Sequence, residues 1–220
     1  MAIDSSASAN RATDPLQDCD RTTYAITRIM YCHGFASNFD PEKEKVRALS
    51  TLAPVDGVTV DYTLPPEDVF AKFTNAVTAP KNSLIVGTSM GGFFAAWLGC
   101  ELGLPFIAIN PAISPAKSLR KHIGAGRTHF GAPFLLRQEM VDAYAGLKFR
   151  HDGDGTIVLD LGDEVIDPHE TIAAVENRLP LIAFSGGSHR FDHMKALLPR
   201  IQGRFFTTRD REEMKIQQRP

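Results

Sequence analysis

The chain has 220 residues, of which 43% are hydrophobic and 23% are charged, a composition typical of one globular domain with a sizeable core. Its net charge is −2 at pH 7, and no run of Lys and Arg forms the basic stripe that a nucleic-acid partner requires. The longest apolar run, around Phe93–Leu98, is far shorter than the roughly 20 residues that cross a bilayer.

The amino-terminal residues indicate the cellular location, and the cysteines indicate whether disulfides or a metal site are expected. Residues 1–20 lack the basic start and the apolar segment of a secretory signal. The cysteines are Cys19, Cys32 and Cys100, an odd number without CxxC spacing, so the sequence predicts neither a disulfide framework nor a zinc site. We therefore expect a cytoplasmic protein with no metal and no cofactor, and with no nucleic-acid or membrane partner.

The predicted elements alternate between short apolar β-type runs and helical patterns, which is typical of an α/β fold. Between a flexible polar tail at 1–22 and a charged tail at 207–220, residues 23–206 are predicted to form one domain. We expect a mostly parallel sheet of about six strands with helices on both faces. The strand candidates are Ile26–Cys32, Val58–Asp61, Leu84–Val86, Phe106–Ile109, Thr156–Leu161 and Leu181–Phe184. The helix candidates are Pro41–Leu49, Glu67–Val77, Met90–Leu102, His169–Asn177 and His193–Ile201.

A long connection interrupts this alternation after the fourth predicted strand. Residues 112–150 contain two helical patterns and a glycine-rich stretch, Gly124–Gly131. Connections of this length that follow the carboxyl end of a strand usually carry function. The sequence therefore predicts a short cap over a site at that edge of the sheet.

The strongest local motif is Gly87-Thr88-Ser89-Met90-Gly91, which lies between an apolar strand and an apolar helix. In a nucleophile elbow the serine occupies a strained turn, and small residues two positions before and after it let strand and helix pass closely. Gly87 and Gly91 occupy those positions. The motif therefore predicts that Ser89 is a catalytic nucleophile.

A serine nucleophile requires a base and a group that orients the base. In α/β-hydrolases the acid and then the histidine follow the serine along the chain, which excludes His33. His189 lies in a glycine-rich loop directly after the strand candidate Leu181–Phe184 and is the preferred base. His193 remains the alternative, although a position at a helix start is the preferred explanation for it.

The acid is predicted to lie on the loop after the strand candidate Thr156–Leu161. Gly162 lets the chain turn, which places Asp163 at the tip of this loop and makes it the preferred acid. Asp160 lies within the strand, and Glu164 is expected on the opposite side of the loop. Asp167 precedes a proline and a helical pattern, so a role as helix N-cap accounts for it.

An oxyanion hole is predicted where the first strong strand ends, at His33-Gly34-Phe35. Its donors would be the backbone amides of Phe35 and of Met90, the residue after the nucleophile. His33 is then a structural residue. We also expect the Phe35 side chain to contact the substrate.

Together these segments resemble the YqiA-type esterases, small proteins of the α/β-hydrolase superfamily. The resemblance implies an α/β-hydrolase fold with a short cap, catalytic residues at Ser89, Asp163 and His189, and hydrolysis of esters or acyl thioesters without a cofactor. This chain departs from the usual pattern in its polar amino-terminal tail and in the insertion at Gly124–Gly131. The motifs that carry the resemblance are Tyr31–Ser37 with Pro41 and Lys45, Gly87–Phe93, Asn110–Ala112, Gly162–Val165 and Gly186–Phe191.

The sequence thus favours a serine esterase or thioesterase that forms an acyl-enzyme on Ser89 and acts on a small-molecule substrate. An acyltransferase would use the same acyl-enzyme and is not separated from the hydrolase by sequence. A catalytically silent binding protein with the same fold is a third possibility, because fold alone does not establish function. The complete set of nucleophile, base, acid and oxyanion segments argues against it.

Overall fold

The computed structural model describes residues 25–206, so the predicted tails at 1–22 and 207–220 lie outside the described residues. Within that range, no helix has the length and apolar character needed to cross a membrane. The strands are β1 (Arg28–Cys32), β2 (Val55–Gly57), β3 (Ser83–Thr88), β4 (Phe106–Ile109), β5 (Gly124–Arg127), β6 (Pro133–Leu136), β7 (Gly155–Asp160) and β8 (Leu181–Phe184). The helices are α1 (Glu44–Ser50), α2 (Pro66–Asn75), α3 (Met90–Leu102), α4 (Pro115–Arg120), α5 (Gln138–Ala145), α6 (Pro168–Val175) and α7 (Met194–Phe205).

Six strands form one sheet in the order β2-β1-β3-β4-β7-β8, and every neighbouring pair is parallel. Its central strands are continuous apolar runs because both faces are covered by helices. Helices α1 and α7 pack on one face, and α2, α3 and α6 pack on the other. The predicted fold class is confirmed.

The strand order places a crevice at the carboxyl edge of the sheet. From β1 the chain crosses to β2 on one side, and it then returns to form β3 on the other side of β1. The loops after β1 and β3 therefore diverge, and ligands of open α/β sheets bind at such a point. Cys32 at the end of β1 is paired with Gly87 of β3, two residues before the elbow serine.

The second strand was predicted at the wrong position. The sequence favoured Val58–Asp61, but the strand that pairs with β1 is β2, three residues long and earlier in the chain. The Val60 amide donates instead to His33 Nε2 at 3.0 Å. The apolar character of Val58 and Val60 serves packing against the core rather than strand pairing, so β-type residues misled the prediction.

The segment that was predicted as a cap, 112–150, contains α4 and α5 as two helices, joined by an antiparallel hairpin of β5 and β6. The hairpin was not predicted, because Gly124–Gly131 has few β-forming residues. Gly126 has a packing reason. A Cβ at Gly126 would lie 2.4 Å from the ring of Phe134 on the opposite strand, so the aromatic ring occupies the space that a side chain would fill.

Candidate active site

Ser89 lies in the sharp turn between β3 and α3. Its backbone has φ 56° and ψ −122°, a conformation that costs a non-glycine residue on the order of 1–3 kcal/mol. Backbone hydrogen bonds to β4, to α3 and to the segment after β4 hold it: the Ser89 amide donates to the carbonyl of Ile109, and the Ser89 carbonyl accepts from Gly92, Phe93 and Ala112. The strained turn projects the hydroxyl away from the helix and toward the crevice.

Two glycines make this turn possible, as the sequence predicted. A Cβ at Gly87 would lie 2.0 Å from the carbonyl oxygen of Gly91, and one at Gly91 would lie 2.0 Å from the carbonyl oxygen of Cys32. These contacts are to backbone atoms, which do not move aside as a flexible side chain does. The prediction that both positions require small residues is confirmed.

We expect Gly91→Val to destabilise the fold by more than about 3 kcal/mol, because its side chain would overlap the backbone at the end of β1. Chemical denaturation followed by circular dichroism measures the free energy of unfolding. Gly146→Val is the matched control, since a Cβ there meets nothing within 4 Å. An equal loss of stability in both variants would contradict the steric explanation.

The structure brings the predicted nucleophile, base and acid into one hydrogen-bonded chain. His189 Nε2 lies 3.0 Å from Ser89 Oγ, and His189 Nδ1 lies 2.8 Å from Asp163 Oδ2. The Asp163 side chain is 2% exposed and that of His189 is 20% exposed. With its proton on Nδ1 directed to the carboxylate, the imidazole presents Nε2 as an acceptor to the serine hydroxyl.

The Asp163 carboxylate is fixed by its own loop. Its Oδ1 accepts hydrogen bonds from the backbone amides of Val165 at 2.8 Å and Ile166 at 2.9 Å. The other candidate acids have different contacts. Asp167 caps α6 by accepting from the amide of His169 at 2.9 Å. Only Asp163, among the acids considered on this loop, meets the ring of His189.

Glu164 has a contact that the sequence did not indicate. Its Oε2 accepts a hydrogen bond from the backbone amide of His189 at 3.0 Å, and this bond lowers the pKa of the Glu164 carboxyl. Adjacent acids on one loop thus bind the same histidine, Asp163 at the ring and Glu164 at the main chain.

A second His–Asp pair lies beneath the loop that carries His189. Asp160 is fully buried at the end of β7, and its Oδ1 lies 2.7 Å from His193 Nδ1. Its Oδ2 accepts from the amides of Asp192 at 2.7 Å and Ser188 at 3.3 Å. A Cβ at Gly187 would lie 2.0 Å from Asp160 Oδ2, so this glycine lets the loop approach the carboxylate.

Asn110, at the end of β4, completes this network. Its backbone has φ 42°, and its Oδ1 accepts from the amide of Asp160 at 2.9 Å. Its Nδ2 donates to the carbonyls of Ser188 at 3.0 Å and His189 at 3.3 Å. The base is therefore held from two neighbouring strand ends. The sequence signals for Asn110 were its place, directly after a strand and before a proline, and its motif Asn110–Ala112 in the family resemblance, neither of which indicated these contacts.

The predicted oxyanion segment lies beside the nucleophile. A Cβ at Gly34 would lie 3.3 Å from Ser89 Cβ, which shows how closely the chain after β1 passes the serine. His33 is buried; its Nδ1 lies 2.8 Å from the Gly34 carbonyl oxygen, and burial lowers its pKa to about 4. A neutral ring braced by Gly34 and Val60 agrees with a structural role for His33.

A cavity of about 300 Å³ opens at Ser89 and His189, near the lower end of the range for small-molecule sites. Phe35 and Met90 line it, which places both predicted oxyanion residues at its wall. The Phe35 ring packs edge-on against Phe134 at a centroid distance of 5.3 Å. The hairpin and α4 supply much of the remaining lining, so the segment 112–150 helps to enclose the site. In the described part of the chain, no cluster of three or more His, Cys, Asp or Glu side chains is arranged to hold a metal ion.

Comparison with known families gives one match over most of the chain. The model of a family described as "Uncharacterised protein family (UPF0227)" matches residues 28–206. A UPF0227 protein of Yersinia pseudotuberculosis is 25% identical over 181 residues, which cover 79% of this chain and 96% of that protein. A UPF0227 protein of Yersinia pestis matches with the same identity and coverage. UPF0227 is the YqiA-like family, so the resemblance to that family, which the sequence motifs indicated, is confirmed.

Several solved structures share the fold at low sequence identity. Est1E from Butyrivibrio proteoclasticus, with ferulic acid bound, has a TM-score of 0.62 at 14% identity, and the match covers 87% of this chain and 91% of the Est1E chain. Mouse alpha/beta hydrolase domain-containing protein 10 has a TM-score of 0.62 at 13% identity, and the match covers 80% of this chain and 88% of the mouse chain. A Xanthomonas campestris protein described as a serine hydrolase without lid has a TM-score of 0.52 at 18% identity, with 87% of each chain covered. These similarities establish the α/β-hydrolase fold.

Proposed function

The chain belongs to the UPF0227 family, and from that membership and its hydrogen-bonded Ser89–His189–Asp163 chain we propose that it is a serine esterase or thioesterase. The observation that carries the proposal is the 3.0 Å contact between His189 Nε2 and Ser89 Oγ, made by a base whose other nitrogen faces a buried carboxylate. A binding protein has no need for a strained serine backed in this way. Its substrates would be small-molecule esters or acyl thioesters.

The proposed reaction begins with attack of Ser89 Oγ on the substrate carbonyl while His189 Nε2 takes the hydroxyl proton. The carbonyl oxygen becomes an oxyanion, which the backbone amides of Phe35 and Met90 would stabilise. Met90 is the first residue of α3, so its amide has no partner within the helix. The amide lies at the positive end of the helix dipole, which would also stabilise the oxyanion.

Collapse of this intermediate breaks the bond to the leaving alcohol or thiol, which takes the proton from His189 and departs. A water molecule then gives its proton to His189 Nε2 and attacks the acyl-enzyme. The second intermediate breaks its bond to Ser89 Oγ and releases the acid, and His189 Nε2 returns the proton to Ser89 Oγ. Asp163 holds the imidazole tautomer and stabilises the imidazolium without taking a proton. No step requires a cofactor.

We expect a fluorophosphonate probe to label the wild-type protein at Ser89, because only an activated serine reacts quickly with such reagents. Mass spectrometry of the labelled peptide identifies the site. The matched control is Ser118→Ala, which removes another serine hydroxyl of the same cavity and should leave labelling unchanged. Labelling that survives in Ser89→Ala would overturn the assignment of the nucleophile.

A panel of p-nitrophenyl esters and acyl thioesters, run on wild type and Ser89→Ala, tests the reaction class. Hydrolysis that depends on Ser89 supports the esterase or thioesterase. An acyltransferase would instead release little free acid and form a new ester when an alcohol is added. A silent binding protein would turn over no member of the panel in either form.

A further inference from the structure

The cap gives the cavity a basic rim. Lys121 and His122 follow α4, Arg127 ends β5, and His129 lies in the turn of the hairpin, and all line the cavity that contains Ser89. None of the described side chains that line this cavity is Asp or Glu. Cavities lined by one sign of charge attract ligands of the opposite sign.

The hairpin holds these basic residues at the site by specific contacts. The His129 amide donates to the carbonyl of Ala36 at 2.8 Å, which ties the hairpin turn to the loop after β1. Arg127 Nη1 donates to the carbonyl of Gly131 at 2.8 Å, and this bond leaves further N–H groups of the guanidinium to bind a ligand. The arrangement belongs to the segment in which this sequence departs from the pattern that it resembles.

The two permanent cations of this rim are Lys121 and Arg127. Neither Arg127 nor Lys121 forms an ion pair with another residue in the range 25–206. Lys121 also borders a neighbouring depression that is lined by Asp163, Glu164, Asp167 and Glu170. Lys121 forms no ion pair with these acids, and the Glu170 carboxylate meets Lys117 Nζ at 2.6 Å. Burial lowers the pKa of His122, and the nearby charges of Lys121 and His129 lower it further.

The rest of the cavity lining is mainly apolar. It includes Phe35, Met90, Leu119 and Phe134 together with Val165 and Ile166, and the His122 ring stacks on Phe35 at 4.8 Å between centroids. A ligand that fills the cavity therefore meets both hydrocarbon and cationic side chains. An entirely apolar acyl chain would leave the cationic side chains without a ligand partner.

We propose that the substrate carries an anionic group, a carboxylate or phosphate, which Lys121 and Arg127 bind beside the scissile bond. This proposal deepens the proposed function and rests on it for the reacting bond, but the anion site itself does not depend on turnover. The anion would lie either on the acyl part or on the alcohol part of the ester. With a cavity of about 300 Å³, the compound that binds there is small.

The first test measures binding without turnover. In full-length Ser89→Ala, isothermal titration compares phenylbutyrate with phenylbutyramide, which differ in charge but little in shape. We expect the carboxylate to bind roughly tenfold more tightly, the combined effect of two partly exposed charge pairs. The preference should disappear in the background of Lys121→Gln with Arg127→Gln, and added salt should weaken it.

The matched control is Lys148→Gln with Arg137→Gln, which removes the same charge from exposed positions of the segment 112–150 outside the cavity lining. It should keep the preference for the carboxylate. Equal affinity for the acid and the amide in Ser89→Ala, or a preference that survives the loss of both Lys121 and Arg127, would overturn the anion site.

The second test identifies which part of the substrate carries the anion. Values of kcat/KM for the p-nitrophenyl hemiester of glutarate and for p-nitrophenyl valerate test the acyl part. Those for p-carboxyphenyl butyrate and p-carbamoylphenyl butyrate test the alcohol part. We expect one anionic-to-neutral ratio to fall roughly tenfold in the Lys121 and Arg127 double variant, and no change in either ratio would contradict the proposal.

The two tests separate failure of this inference from failure of the proposed function. Carboxylate binding that depends on Lys121 and Arg127, in a protein that hydrolyses no ester, would support the anion site and refute the esterase. Hydrolysis that requires Ser89 but has no preference for anionic compounds would support the esterase and refute the anion site.

Discussion

Replacement of His189 by Ala is expected to lower kcat for ester hydrolysis by roughly four to six orders of magnitude, as removal of a triad base does elsewhere. Without the imidazole, no group accepts the Ser89 proton during attack, and none protonates the leaving group. The 3.0 Å contact from Nε2 to Ser89 Oγ is the interaction that is lost. Single-turnover kinetics with a p-nitrophenyl ester measures the acylation step directly.

His193→Ala is the matched control for this experiment, because it removes the histidine of the other His–Asp pair. Its ring lies 2.7 Å from the buried carboxylate of Asp160 and stacks on Phe184 at 4.9 Å. We expect its loss to lower the free energy of unfolding by about 1–3 kcal/mol, since the carboxylate loses a partner. A near-normal rate in His189→Ala with a collapse in His193→Ala would reverse the assignment of the base.

Much of the fold could be predicted because its strands are buried on both faces. Such strands appear in the sequence as continuous apolar runs, and Phe106–Ile109 and Leu181–Phe184 were predicted with the bounds that the structure has. The errors fall where this signal is weak. β2 is a three-residue, half-buried strand, and the β5–β6 hairpin contains Gly126, whose side-chain space is filled by the ring of Phe134 from the facing strand. Neither feature leaves a periodic pattern.

In the candidate site, too, the residues with a local sequence signal could be predicted and those without one could not. Ser89 could be predicted because its strain requires two glycines at fixed spacing, and His189 and Asp163 because each follows a strand whose carboxyl end reaches the same edge. The network of Asn110, Asp160 and His193 could not. Its contacts join residues 28 to 79 positions apart, and a buried Asp in a strand gives no local sign of its partner.

The basic rim of the cavity was missed for a related reason. Arg127 and His129 belong to the predicted cap, but no helix or strand was predicted for Gly124–Gly131, so the sequence did not indicate which side chains of this stretch line the site. The hairpin places them there, and the His129 amide fixes the turn against the loop after β1. The proposed anion specificity therefore depends in part on the insertion Gly124–Gly131, which carries Arg127, whereas the proposed chemistry depends on residues at strand ends.

Asp163→Asn is expected to reduce kcat by up to roughly ten-thousandfold at neutral pH while Ser89 and the fold remain in place. The amide keeps the shape of the carboxylate but cannot hold the imidazole in the tautomer that presents Nε2 to the serine, and it does not stabilise the imidazolium. The amides of Val165 and Ile166 donate to Oδ1, and the amide oxygen can still accept from them. Steady-state kinetics and thermal unfolding of the same preparation separate the two effects.

Asp167→Asn makes this test decisive, because it imposes the same chemical change four residues along the same loop. Asp167 accepts from the amide of His169 as the N-cap of α6, and Asn is as good an N-cap as Asp. The stability and the kcat of Asp167→Asn should therefore remain close to those of wild type. A collapse of kcat in Asp167→Asn alone would mean that the loop rearranges in solution and that Asp167, not Asp163, orients His189. If both variants lost activity and stability together, the loop rather than either carboxylate would be the element on which the base depends.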